Sequence, residues 1–128
     1  MYLIIIIFLL LSNLNIYSEK LTEKEYLYLI NKELSKEQIN IQNVTEYYLK
    51  LSSIDYRYIL YYYNLGCFLN NKLIKSNAVE LIDSYIKTKT DDYSIIFLAA
   101  VIYHNETKYE TALDLYQQAL KKNNNIAA

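Results

Sequence analysis

Apolar and polar positions along the chain recur at helical rather than alternating spacing. Over Leu73–Lys87, Ser76, Glu80, Asp83 and Lys87 form one polar stripe, while Ala78, Leu81, Ile82 and Tyr85 face elsewhere. Over Thr107–Lys121 the stripe Glu110, Asp114, Gln117 and Lys121 repeats the pattern, with Ala112, Leu115, Tyr116 and Ala119 apolar. The two sets are offset by 34 residues at every position, as from Ala78 to Ala112. Six helices are predicted, near 22–35, 39–52, 55–70, 73–88, 92–105 and 108–122. Asn71 and Asn105 share a place in the period suited to ending one helix and capping the next. Asp91 and Asp92 suit the start of the fifth helix, where the helix dipole favours negative charge. The tail from Asn123 onward is expected to fray.

The start of the chain reads differently. Tyr2 to Leu11 is an unbroken apolar run. Its ten residues reach only about 15 Å as a helix, half a hydrocarbon core. The length suits the apolar region of a secretory signal peptide, with Ser18 before Glu19 as a cleavage point, although no Lys or Arg precedes it. Residues 1–18 are therefore expected to be a signal peptide, and the protein to be exported to the periplasm or cell envelope. An uncleaved segment anchoring the chain to a membrane is the alternative.

The 34-residue offset extends backwards. Val44, Tyr48 and Leu51 fall under Ala78, Ile82 and Tyr85, so three units, 25–58, 59–92 and 93–126, account for most of residues 19–126. Few positions are identical between units; what recurs is residue size at demanding places. Tyr62, Leu65, Gly66, Leu69, Ala78 and Ile82 in the middle unit, and Ala99, Ala100, Tyr103, Ala112, Tyr116 and Ala119 in the last, resemble the tetratricopeptide repeat family, whose unit is a 34-residue helix–turn–helix. Tyr109 to Leu120 is the strongest single match. The resemblance implies an all-α fold, a short α-solenoid of three helical hairpins. Small residues at Gly66, Ala100, Ala78 and Ala112 would let paired helices approach, and large ones would fill the gaps between layers. The first unit departs, with Lys32 where a small residue belongs and Ser35 where Tyr belongs. Tyr85 stands where Ala is usual.

Composition narrows function. With one glycine and no proline, hairpin-built sheets and glycine-rich phosphate cradles are excluded. One cysteine allows no internal disulfide and no Cys/His zinc set. Thirteen basic against fourteen acidic residues, with Arg57 the sole arginine, argue against nucleic-acid binding. The 16 tyrosines accompany many Ile, Asn and Lys, a bias that A/T-rich codons alone produce.

No catalytic constellation emerges. His104, the only histidine, has only Glu106 as a local carboxylate, and Cys67 between Gly66 and Phe68 reads as a buried, inert thiol. The triplets beginning at Asn43 and Asn105 match a glycosylation pattern but read as structural. The expectation is a non-catalytic protein-interaction module with no cofactor and no metal. The resemblance places the binding groove on the first helix of each unit. There Leu60, Tyr63, Cys67, Asn70 and Asn71 of the middle unit, and Ser94, Phe97, Val101, His104 and Asn105 of the last, form an apolar and aromatic floor with amide rims. Tyr63 and Phe97 read equally as packing between helices. The basic clamp by which some members hold acidic chaperone tails is not matched, since the corresponding places hold Leu29, Glu33, Asn64, Ser94 and Leu98. A protein or an apolar peptide is the implied partner. Leu113, Tyr116 and Leu120 are expected to stay partly open on the last helix, a route to a homo-oligomer and to an envelope scaffold role.

Overall fold

The computed structural model describes residues 21–88 and 92–127, and for 124–127 the backbone alone. The expected signal segment 1–18 and Asp91 lie outside these residues. The described chain is all-α. Its helices are α1 (Glu23–Leu34), α2 (Ile41–Ile54), α3 (Tyr58–Phe68), α4 (Lys72–Thr88), α5 (Tyr93–Asn105) and α6 (Tyr109–Ala127). Each lies within a few residues of its predicted place, except that α6 continues through the asparagines expected to fray. Among the described residues no helix is long and apolar enough to cross a membrane.

The chain divides into two compact units, Met1–Tyr47 and Tyr48–Ala128, with the boundary inside α2. In the first, Thr22 caps α1: its Oγ1 accepts the Glu25 amide at 3.2 Å. Glu23 and Glu25 in the first turn and Lys32 in the last complement the helix dipole. Tyr26, Ile30 and Glu33 are the buried face of α1, while Tyr28 is 65 % exposed. That stripe matches Ile59, Tyr63 and Gly66 at an offset of 33 rather than 34, which explains why Lys32 and Ser35 break the repeat pattern. Glu33 instead holds the turn. Its carboxylate takes Lys36 Nζ at 2.8 Å and the Asn40 amide at 2.9 Å. These bonds keep it below the usual carboxylate range, the lysine contact contributing most.

In the second unit, α3 packs on α4 and α5 on α6, and α4 also meets α5. The core is Tyr62, Ile74, Ala78, Ile82, Ile95, Ile96, Ala99, Ala100 and Ile102, with Ala112 and Ala119 from α6. The places read as size-restricted are thus buried. The Tyr48 and Tyr62 rings meet at 5.2 Å. Tyr85, the bulky residue where alanine is usual, is accommodated by donating its hydroxyl to the Ser52 carbonyl at 2.9 Å.

The two turns differ. Leaving α3, Asn70 adopts φ 51° and the Asn71 amide donates back to the Gly66 carbonyl at 2.8 Å, a Schellman closure. Asn71 Oδ1 then caps α4 by accepting from Ile74 N at 3.0 Å. Asn105 does not repeat this. It is the last residue of α5, and the closure is made 37 residues on from the first, by Thr107 at φ 62° with the Lys108 amide on the Tyr103 carbonyl at 3.0 Å. The small buried residues keep the 34-residue offset, from Gly66 to Ala100 and from Ala78 to Ala112. Burial does not follow it throughout, since Tyr63 is 1 % exposed and Phe97 53 %, and the turn slides by about one helical turn.

A β-branched residue in the left-handed region is strained, by roughly 1–3 kcal/mol. Thr107→Gly is expected to raise stability by about 1 kcal/mol, and the melting temperature by about 4–8 °C. Calorimetry of the two proteins checks this; an unchanged or lower midpoint would mean that the turn is relaxed as it stands.

Candidate functional site

The second unit carries an open groove of about 950 Å³. Leu60 of α3, Phe97 and Val101 of α5, and Tyr116 and Leu120 of α6 supply its apolar lining. α5 can do this because nearly its whole circumference is apolar. Ile95, Ile96, Ala99 and Ile102 go to the core, and Phe97 is left 53 % exposed. The Phe97 ring is not loose: it stands edge-on to Tyr116 at 5.6 Å. Asp92 starts α5 by accepting the Ser94 amide at 3.0 Å. At the mouth, Arg57 and Asp55 form a forked ion pair, Nη2 to Oδ2 at 2.6 Å and Nε to Oδ1 at 3.0 Å. The Arg57 bonds hold the Asp55 carboxyl low, and Asp55 in turn raises the guanidinium. The groove thus has a polar but charge-balanced edge.

Of the groove residues singled out from sequence, the groove gathers Leu60, Ser94, Phe97 and Val101. Tyr63 is elsewhere: it is 1 % exposed and donates its hydroxyl to Glu106 Oε1 at 2.7 Å, tying α3 to the end of α5. Cys67 is exposed, not buried as its apolar neighbours suggested. It is seven residues from Leu60, on nearly the same face of α3, but does not line the groove, and the neighbouring Phe68 is 87 % exposed. Asn70 is at the turn after α3, and Asn105 is exposed at the end of α5. His104 is also exposed, edge-on to Tyr109 at 5.6 Å and to Tyr116 at 6.2 Å. Its one local carboxylate, Glu106, is engaged by Tyr63. Among the described residues no three His, Cys, Asp or Glu gather as metal ligands would.

No family model, curated protein or solved structure matches the chain. The tetratricopeptide likeness therefore rests on this chain's own residues, and the site has to be argued from its geometry.

Sequence reasoning missed Tyr116, Leu120 and the Asp55–Arg57 pair. The family rule assigns the groove to first helices, whereas here the second helix of the last pair forms one wall. Tyr116 and Leu120 were visible as an open apolar edge. Nothing in their spacing said that this edge and the groove are one surface.

Two tyrosine hydroxyls of the second unit meet carboxylates in part-buried surroundings. Tyr103 donates to Asp83 at 2.7 Å, and desolvation, then that bond, pushes it up to about 12. Tyr63 is raised as well, by burial first and then by Glu106. Unfolded tyrosine ionises near 10. A raised value in the fold means the stabilisation is intact below about pH 10 and is lost as pH climbs from there towards 12. Alkaline titration should therefore show tyrosinate absorbance and loss of helical circular dichroism rising together. Tyr103→Phe should move that transition to higher pH. An unmoved transition would show that Tyr103 ionises without cost to the fold.

Proposed function

We propose that the chain is a non-catalytic protein-interaction module, a short α-solenoid of tetratricopeptide-like helix pairs. Its groove takes an apolar segment of a partner protein. The observation that carries this reading is the aromatic and aliphatic surface of Leu60, Phe97, Val101 and Leu120, open to solvent yet held in place by the Phe97–Tyr116 contact. Exposed aromatic anchors already fixed in one geometry lose little freedom on binding, which is what contact surfaces require. A fork-paired Asp55–Arg57 at the mouth offers a partner no net charge, so an apolar segment suits the groove better than a charged tail. His104 and Cys67 support no rival catalytic reading, since neither has a nucleophile–base–carboxylate arrangement around it.

The module is proposed to be exported through residues 1–18 and to work in the periplasm or envelope. Crosslinking capture from the source cell should lose its specific partners in Leu60→Ala/Phe97→Ala but keep them in Tyr61→Ala, on the exposed outer side of α3. Identical capture by all three proteins would refute the groove. Fractionation with N-terminal sequencing tests export; a cytoplasmic protein that retains Met1 would refute it. A scaffold role through self-association is the second reading, favoured by Leu113 and Leu120 standing 59 % and 61 % exposed on α6.

A further inference from the structure

On α6 the exposed apolar residues do more than leave an open edge. Tyr109, Leu113, Tyr116 and Leu120 follow one another at spacings of four, three and four, the seam of a coiled coil. All four lie within about 60° of one line along the helix, at 100° per residue. This line is separate from the face formed by Ala112, Leu115 and Ala119, which α6 buries in its own unit. The helix thus has two apolar faces and only one is covered within the unit. Two of the seam rings are held in fixed positions, Tyr109 by His104 and Tyr116 by Phe97 and His104.

Charge selects what covers the second face. The polar stripe beside the seam begins with Glu110 and Asp114, passes through Gln117, and ends with Lys121, followed by Lys122. Lys108, at the start, is turned to the other side and lies over the Tyr103 ring at 5.8 Å. The stripe is acidic towards the N-terminal end of α6 and basic towards its C-terminal end. A second α6 laid antiparallel sets the acidic end against the basic one and opposes the helix dipoles; a parallel one sets like against like. An antiparallel pair in which Leu113 of one copy meets Leu120 of the other is an isologous twofold contact, with each leucine covered by its counterpart.

We propose that α6 pairs antiparallel with α6 of a second copy of this chain, with the twofold axis passing near Tyr116 and Gln117. The inference rests on the reading of this surface as an interaction site and names its occupant. Because Tyr116 and Leu120 also wall the groove, the second copy's helix covers the α6 side of the groove and narrows it towards Leu60 and Phe97.

The test uses the full-length chain. Sedimentation equilibrium should show a dimer that Leu113→Glu and Leu120→Glu each weaken at least tenfold, with helical circular dichroism unchanged. Glu110→Lys should weaken it too, and the exchange Glu110→Lys/Lys121→Glu should restore it. In a Cys67→Ser background, Gln117→Cys should form an interchain disulfide readily, because it sits near the axis. Glu110→Cys should form little, because antiparallel pairing places the two copies of residue 110 far apart. A monomer up to about 100 µM, or a dimer indifferent to Leu113→Glu and Leu120→Glu, overturns the proposal. Preferential crosslinking through Glu110→Cys overturns the antiparallel arrangement. If the chain is monomeric while partner capture still depends on Leu60 and Phe97, the groove reading stands without this one. If that dependence is also missing, both fall.

Discussion

Tyr63→Ala should remove about 3–5 kcal/mol of stability, the cost of emptying a fully buried aromatic site. For a domain whose total is about 5–15 kcal/mol, that is enough to leave the variant partly unfolded at physiological temperature. The size of the effect comes from two roles in one side chain. The ring is 1 % exposed within the second unit, and the hydroxyl reaches Glu106 Oε1 at 2.7 Å across 43 residues of sequence. Tyr63→Phe separates them. It keeps the ring and leaves the half-buried Glu106 carboxylate without its donor, for a loss of about 1.5–3 kcal/mol, the range for hydrogen bonds to charged groups. Denaturant midpoints at unchanged slope measure both. A Tyr63→Phe protein as stable as the parent would show that water serves Glu106 equally well.

The second large effect is expected at the only glycine. Gly66→Ala puts a methyl group 2.9 Å from Ile74 Cγ2 and Lys75 Cγ and 3.0 Å from the Lys75 backbone nitrogen. Helix propensity alone would favour alanine by about 1 kcal/mol. Overpacking opposes it, typically by about 1–3 kcal/mol, and the Lys75 backbone cannot swing aside as a side-chain end can. We expect a net loss of about 1–2 kcal/mol, with α4 displaced from α3. A double-mutant cycle with Ile74→Ala should show coupling between the two sites. A stabilised Gly66→Ala would mean that the helix pair has slack at this point and that propensity wins.

Much of this was legible in the sequence because the relevant physics is periodic. Helices with no proline and with cap residues at Asn71 and Asp92 are set by local rules, and all six appear near their predicted places. The repeat resemblance set Gly66 among the small residues where paired helices approach, and the Cβ distances agree. The first helix pair escaped because periodicity reports only that a face is buried, not which neighbours bury it. Tyr26, Ile30 and Glu33 run one residue out of step, and Glu33 hides a carboxylate by taking Lys36 and the Asn40 amide. A charged residue on a buried face looks like a solvent position until its partners are seen. Cys67, expected to be buried, is exposed, and Tyr63, open between groove and packing, packs, for a related reason. A helix apolar on all sides, as α3 and α5 nearly are, gives no angular signal to separate core from groove. The mouth pair Asp55–Arg57 lies between helices, where no period applies.

The sliding turn has a consequence for how this chain could grow. Because Thr107 closes the last pair one helical turn later than Asn70 closes the one before it, Ala100 lies further from its turn than Gly66 does, and Ala112 nearer than Ala78. By the rise of 1.5 Å per residue, the partner helices are offset along their axes by about 9 Å relative to the preceding pair. No single screw operation therefore carries one pair onto the next. Tandem copies of 93–126 would all carry the same offset, so the mismatch would fall at the single junction with 59–92. Copies of the middle pair, 59–92, placed before it would share its turn position and so would add no such mismatch of their own.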